Sequence, residues 1–176
     1  EDLPVAQDQT ILTSNNTILG GSTLDSAYRD LVLADGAVAY WRLGEATGET
    51  VIVNSGSAGS AINRTVQGAP TLEQTGVTPD DKSMFFDGID DAVEIDDPTN
   101  ADLQNHTRTE KSTELWFKAD DLIGRQVIYD QGGNTNGLNL HLNGSTLHAG
   151  LWNDSQYSGA ETNIEADTWY HVVSVL

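Results

Sequence analysis

The densest group of chemically capable side chains is the run DGIDDAVEIDD, which places six carboxylates within residues 87–97. Three roles suit such a run: oxygen ligands for a hard cation, a carboxylate pair for glycoside hydrolysis, or an acidic strand facing water. Asp87, Asp90 and Asp91 surround Gly88, whose freedom allows a tight turn, so their oxygens can converge on calcium. Their spacing is not that of an EF-hand loop. A second oxygen-rich stretch, YDQGGNTNG, reads as a loop between strands and offers Asp130, Gln131, Asn134 and Asn136, with Asp130 and Asn134 as its candidate calcium ligands. The plain alternative at both places is a polar turn held by Asx hydrogen bonds. As a strand, AVEIDDPTN would put Glu94 and Asp96 on one face. The next position on that face is Pro98, so a third carboxylate is missing and the proline ends the strand. The sequence holds no G-x-S-x-G elbow, no P-loop and no helical histidine pair at zinc spacing. No catalytic residue is assigned, and the chain reads as a non-enzyme.

A second constellation lies in LNLHLNGSTLHAGLW. Asn143-Gly144 is a strong type I′ signal, and a two-residue turn there pairs Leu142 with Ser145, Leu140 with Leu147 and Leu138 with Ala149. One face is then apolar. The other carries Asn139, His141, Thr146 and His148, followed by Gly150 and Trp152. In this register His141 and His148 share a face without standing directly opposite one another, and no third ligand points to zinc. A polar face with one aromatic suits a sugar, and it also suits plain solvent. Trp152 and Tyr157 border the polar stretch WNDSQYSGAETN and are candidates for stacking on a sugar ring, whereas Trp41, Trp116 and Trp169 lie in apolar runs and read as core. The candidate carbohydrate-binding set is therefore Asn139, His141, His148, Trp152 and Tyr157.

The elements that must position these residues are mostly strands. From Gly36 onward the runs AVAYWRL, SMFFD, AVEI, STELWFKA, RQVIYD, GLNLHLN, STLHAGLW and TWYHVVSVL are short, rich in β-branched and aromatic residues, and separated by Gly, Asn, Asp and Ser. This pattern predicts an all-β fold, an antiparallel two-sheet sandwich or jelly roll. One short helix of two turns is expected in DSAYRDLVLADG, capped by Asp25 or Ser26 and ended at Gly36. Residues 1–26 lack aromatics and are rich in Ser, Thr, Asn and Gly, so they read as an extended linker or exchange segment, with residues 27–176 forming the sandwich.

The 176-residue chain has no cysteine, and its 8 basic and 27 acidic residues leave a formal charge of −19. Nucleic acid and membrane insertion are excluded as roles, because neither a basic cluster nor a long apolar span is present, while multivalent cations suit the charge. The N-x-S/T sequons at Asn15, Asn63, Asn105, Asn143 and Asn153 are what a chain rich in Asn, Ser and Thr produces by chance. With neither initiator Met nor signal peptide, Glu1 reads as a processed end or the edge of a fragment.

The segments DGAVAYWRLGE (35–45), FFDGIDDAVEI (85–95), STELWFKADD (112–121), RQVIYDQGG (125–133) and WYHVVSVL (169–176), in this order, resemble the laminin G-like jelly rolls of the concanavalin A-like lectin and glucanase superfamily. The resemblance spans roughly residues 27–176. It implies two face-to-face antiparallel sheets, calcium in many members, and non-catalytic roles in carbohydrate binding, protein binding or spacing within large extracellular proteins. It also implies further strands after WYHVVSVL, so family ligands on those strands have no counterpart here. The place of the Asp130 loop resembles that of the calcium loop in pentraxin-type members. VEIDD resembles the catalytic strand of laminarinase-type glycoside hydrolases, but without its last carboxylate. DLPVAQDQTILT resembles junctions between repeats of bacterial adhesins. The expectation is an adhesive or structural module of a larger bacterial surface or secreted protein, with calcium-dependent carbohydrate binding as the alternative and glycan or surface protein as partner. The TIL tokens at 10–12 and 17–19, set beside a sheet left open at Leu176, add strand exchange into a homo-oligomer or fibre as an expectation.

Overall fold

The computed structural model describes residues 23–79, 81–95, 111–132, 136–153 and 156–175, and these divide into two compact units, one below residue 99 and one above it. The protein is all-β, with several antiparallel sheets and one short helix. Residues 1–22 of the expected linker with their TIL tokens, Asn134, Asp96 and Leu176 fall outside the described residues, while Thr23–Ser26 belong to a helix.

In the first unit, α1 (Thr23–Ala34) is followed by β1 (Val51–Ile52), a 3-10 turn (Gly59–Ile62), β2 (Arg64–Gln67), β3 (Thr71–Thr75), β4 (Lys82–Phe85) and β5 (Ala92–Val93). The order β1-β2-β5 makes one small sheet and β3-β4 another. The helix has 12 residues, about three turns rather than the two expected, and the chain leaves it through Gly36, whose φ of 81° suits glycine. AVAYWRL, expected to be a strand, forms only one bridge, Trp41 to Asn54. A side chain does the work of a ladder there. Asn54 Oδ1 accepts the Tyr40 amide at 2.7 Å and the Gly56 amide at 3.1 Å, while Nδ2 donates to the carbonyls of Gly56 and Gly59. Asn54 is 6% exposed, so these bonds satisfy a buried amide group in full. Leu43, at φ 58°, then turns the chain away from any strand path.

The second unit holds β6 (Ser112–Lys118), β7 (Arg125–Gly132), β8 (Asn136–Asn143), β9 (Thr146–Asn153), β10 (Gln156–Asn163) and β11 (Trp169–Val175). Strands β7 to β10 form a meander in the spatial order β10-β9-β8-β7, and β11 returns to pair antiparallel with β6. Alternate residues of β8 and β9 (Leu140, Leu142, Leu147 and Ala149) bury one face of the meander. They cluster with Ala119, Ile164 and Val172, and with Leu115, Phe117 and Tyr170 from the β6–β11 pair. This is sheet-on-sheet burial, the packing expected of a β-sandwich.

The expected hairpin register is corrected. The observed partners are Leu142 with Leu147, Leu140 with Ala149 and Leu138 with Leu151. The turn residues are Gly144 and Ser145, and Gly144 alone adopts positive φ, 60°. That is the pattern of a type II′ turn with glycine first, not a type I′ turn on Asn143. Neighbouring segments fix the choice: the Gly144 amide donates to Gly124 and the Ser145 carbonyl accepts from Ile164. Each partner shifts by two residues, so the apolar and polar faces are unchanged.

Candidate functional site: the polar face of the meander

Strand alternation and register place four cross-strand rows on the face opposite the leucines. The first row runs Arg125, Asn143, Thr146, Asn163, and the second Val127, His141, His148, Glu161. The third runs Asp130, Asn139, Gly150, Gly159, and the fourth Gly132, Gly137, Trp152, Tyr157. All five expected carbohydrate-binding residues thus occupy positions in three adjoining rows. Trp152 and Tyr157 are direct backbone partners. Tyr157 lies in β10, which the sequence reading took for part of a polar loop. Two glycines, Gly150 and Gly159, separate the histidine row from the Trp152–Tyr157 row, so no side chain fills the middle of the face along β9 and β10.

His141 and His148 are directly opposite one another, which corrects the offset expected from sequence. Their rings stack with centroids 4.8 Å apart and planes 9° from parallel. His141 Nδ1 donates to Asn139 Oδ1 at 3.1 Å. His148 Nδ1 lies 3.3 Å from Glu161 Oε2. Burial, reinforced by the Arg125 and His148 charges and opposed by Asp130, holds the His141 imidazole below its ordinary value. Asn139 is 9% exposed and forms the floor beside the pair. Arg125, Val127, Gly159 and Glu161 were missed from sequence. The available signal was the two-residue spacing of Tyr157, Gly159, Glu161 and Asn163, a strand alternation with too few apolar residues to stand out.

Asp130 and Gln131 lie inside β7 and Asn136 begins β8, so both strands run further into the expected calcium loop than the sequence suggested. Asp130 pairs with Asn139 in the ladder.

The acidic turn belongs to the first unit. Ligand oxygens of Asp87, Asp90 and Asp91 all lie within 4.8 Å of one another. Oxygens on opposite sides of a calcium ion stand at most about 5 Å apart, so the three carboxylates fit that ion by size. Two of the three also hold the backbone of the turn. Asp87 Oδ1 accepts the Ile89 amide at 2.8 Å, an Asx turn, while Asp91 accepts the amides of Ala69 at 2.7 Å and Asp87 at 2.9 Å. A side chain at Gly68 would strike Asp91 Oδ1 and the Asp90 backbone, so glycine there lets the acidic turn close against β2. Glu94 accepts a hydrogen bond from the Gln67 side chain, and β5 ends at Val93, so the ladder does not array Glu94 as a catalytic strand would.

A scan against protein-family models finds no match, and neither the curated proteins nor the solved structures yield one. No helix among the described residues is long and apolar enough to cross a membrane.

Proposed function

We propose that this chain is a non-catalytic, laminin G-like module of a larger extracellular protein, and that it serves adhesion by binding glycan on the polar face of its meander. The observation that carries the reading is the row arrangement: two stacked imidazoles in one row, paired Trp152 and Tyr157 positions two rows on, and between them a row that holds the buried Asn139 beside Gly150 and Gly159. Sugars offer paired hydroxyls to amide and imidazole groups, and C–H faces to rings. The strip between the imidazole row and the Trp152 and Tyr157 positions suits one or two sugar units. The non-catalytic part is supported by Glu94, whose carboxylate is engaged by Gln67, where hydrolysis needs two facing carboxyl groups. The extracellular and adhesive parts rest on the resemblance of the five ordered segments.

Calcium belongs to this proposal as a stabiliser of the acidic turn, held by Asp87, Asp90 and Asp91. A glycan array probed with the purified protein, with calcium and with EDTA, tests the reading. Binding that falls at least about tenfold in Asn139→Ala supports the meander face, since loss of a buried polar partner removes a full hydrogen-bonding group. Failure to bind any glycan, or hydrolysis of a β-glucan that Glu94→Gln abolishes, overturns it.

A further inference from the structure

The histidine pair has a second use that carbohydrate recognition does not require. Both Nδ1 atoms face acceptors, Asn139 Oδ1 for His141 and Glu161 Oε2 for His148. Partners of this kind fix the Nδ1–H form and leave the Nε2 lone pairs for a ligand. Among the described residues, neither Nε2 has a hydrogen-bond partner. The rings are parallel on adjacent strands, 4.8 Å apart at their centroids. Two imidazole nitrogens on one tetrahedral zinc, each about 2.0–2.1 Å from the ion, stand roughly 3.4 Å apart. Rotating the two rings out of their parallel stack about their side-chain torsions would point both Nε2 lone pairs at one ion, a movement that binding requires. The side chain of His148 retains 21% exposure, so an ion can reach it from solvent. Charge also favours a cation: Asp130 and Glu161 occupy the third and second rows, against Arg125 alone in the first.

We propose that His141 and His148 form a two-histidine site for a late divalent transition metal, zinc, nickel or copper, with Glu161 orienting His148 from behind. Imidazole nitrogen selects these ions over calcium, which takes oxygen. The site shares its two imidazoles with the glycan reading but does not rest on it, and it differs in chemistry and location from the acidic turn. Water completes the coordination.

The test uses the full chain with any affinity tag removed and metals stripped with EDTA. Zinc, nickel and copper chlorides are titrated by calorimetry and by NMR of the histidine ring resonances. One ion per chain, with His141 and His148 the resonances that move, is the expected result. Copper should bind more tightly than nickel or zinc. His141→Ala and His148→Ala should each weaken binding at least about tenfold, and Glu161→Gln by about tenfold through the lost orienting carboxylate. Backbone amide shifts of β8 and β9 in the metal-free variants establish that the ladder is intact. The paired conservative substitutions His141→Gln and His148→Gln serve if alanine disturbs it. Absence of binding overturns the proposal. So does equal binding by a folded double variant, which would trace the metal to the acidic surface.

Discussion

The two units solve the same problem, ordering a β-rich chain, by different means. The meander and its covering strands are tied by long ladders: β8 pairs along its whole length with β9, and β9 with β10. The first unit has strands of two to five residues and relies on single polar side chains to hold its loops. Asn54 gathers the chain from Tyr40 to Gly59, Glu73 takes the Thr47 amide and hydroxyl, and Asp91 takes the amides of Ala69 and Asp87. A ladder spreads stability over many equivalent bonds, whereas a polar hub concentrates it in one residue. Substitutions should therefore be forgiven along the strands except at the packed leucines, and punished at the hubs.

The largest effect is expected where the meander meets its cover. Leu140 is 1% exposed and surrounded by the core cluster, so Leu140→Ala should cost about 3 kcal/mol in denaturant unfolding, from lost burial and the cavity left behind. Asn54→Ala comes next at about 2 kcal/mol, since it strips partners from two backbone amides and two carbonyls. The two should differ in reach. Hydrogen exchange should quicken around residues 40–59 in Asn54→Ala while β8 and β9 stay protected, and loss of protection in both places would mean the hub is not local.

A pH scan sharpens the same contrast on the meander side. Burial first, and the adjacent Asp130 charge second, push the Tyr129 hydroxyl up to about 12. Its proton is kept in the folded state and released near 10 in the unfolded chain, so this stability is complete below about pH 10 and declines as pH rises toward 12. In an ultraviolet titration, one tyrosine should resist ionisation until the strands give way, and Tyr129→Phe should remove that step.

The contrast also explains what the sequence made legible. Strands β6, β7, β9 and β11 were readable from their β-branched and aromatic residues, and β8 from leucines at every second position. Strand β10, Gln156–Asn163, was not, because its ladder to β9 replaces the apolar signal it lacks. In the first unit, AVAYWRL looked like a strand by composition, yet Asn54, fourteen residues beyond Tyr40, satisfies its backbone instead. No local pattern announces such a hub. The polar face was legible in its residue types, since a register error of two preserves parity, but the opposition of His141 and His148 depended on the turn and was lost with it.

That turn gives the smallest effect and the most discriminating one. In a type I′ turn, Asn143 would occupy a left-handed position that asparagine tolerates better than most residues, and Asn143→Ala would cost about 1 kcal/mol. Here Asn143 is the last residue of β8, paired with Thr146 and outside the positive-φ set, so Asn143→Ala should change stability by no more than about 0.5 kcal/mol. Gly144, at φ 60°, carries the conformational demand instead, and Gly144→Ala should cost about 1 kcal/mol even though its new Cβ meets no neighbour within 4 Å. A larger loss at Asn143 than at Gly144 would return the turn to its expected form, slide the partners by two, and take His141 away from His148.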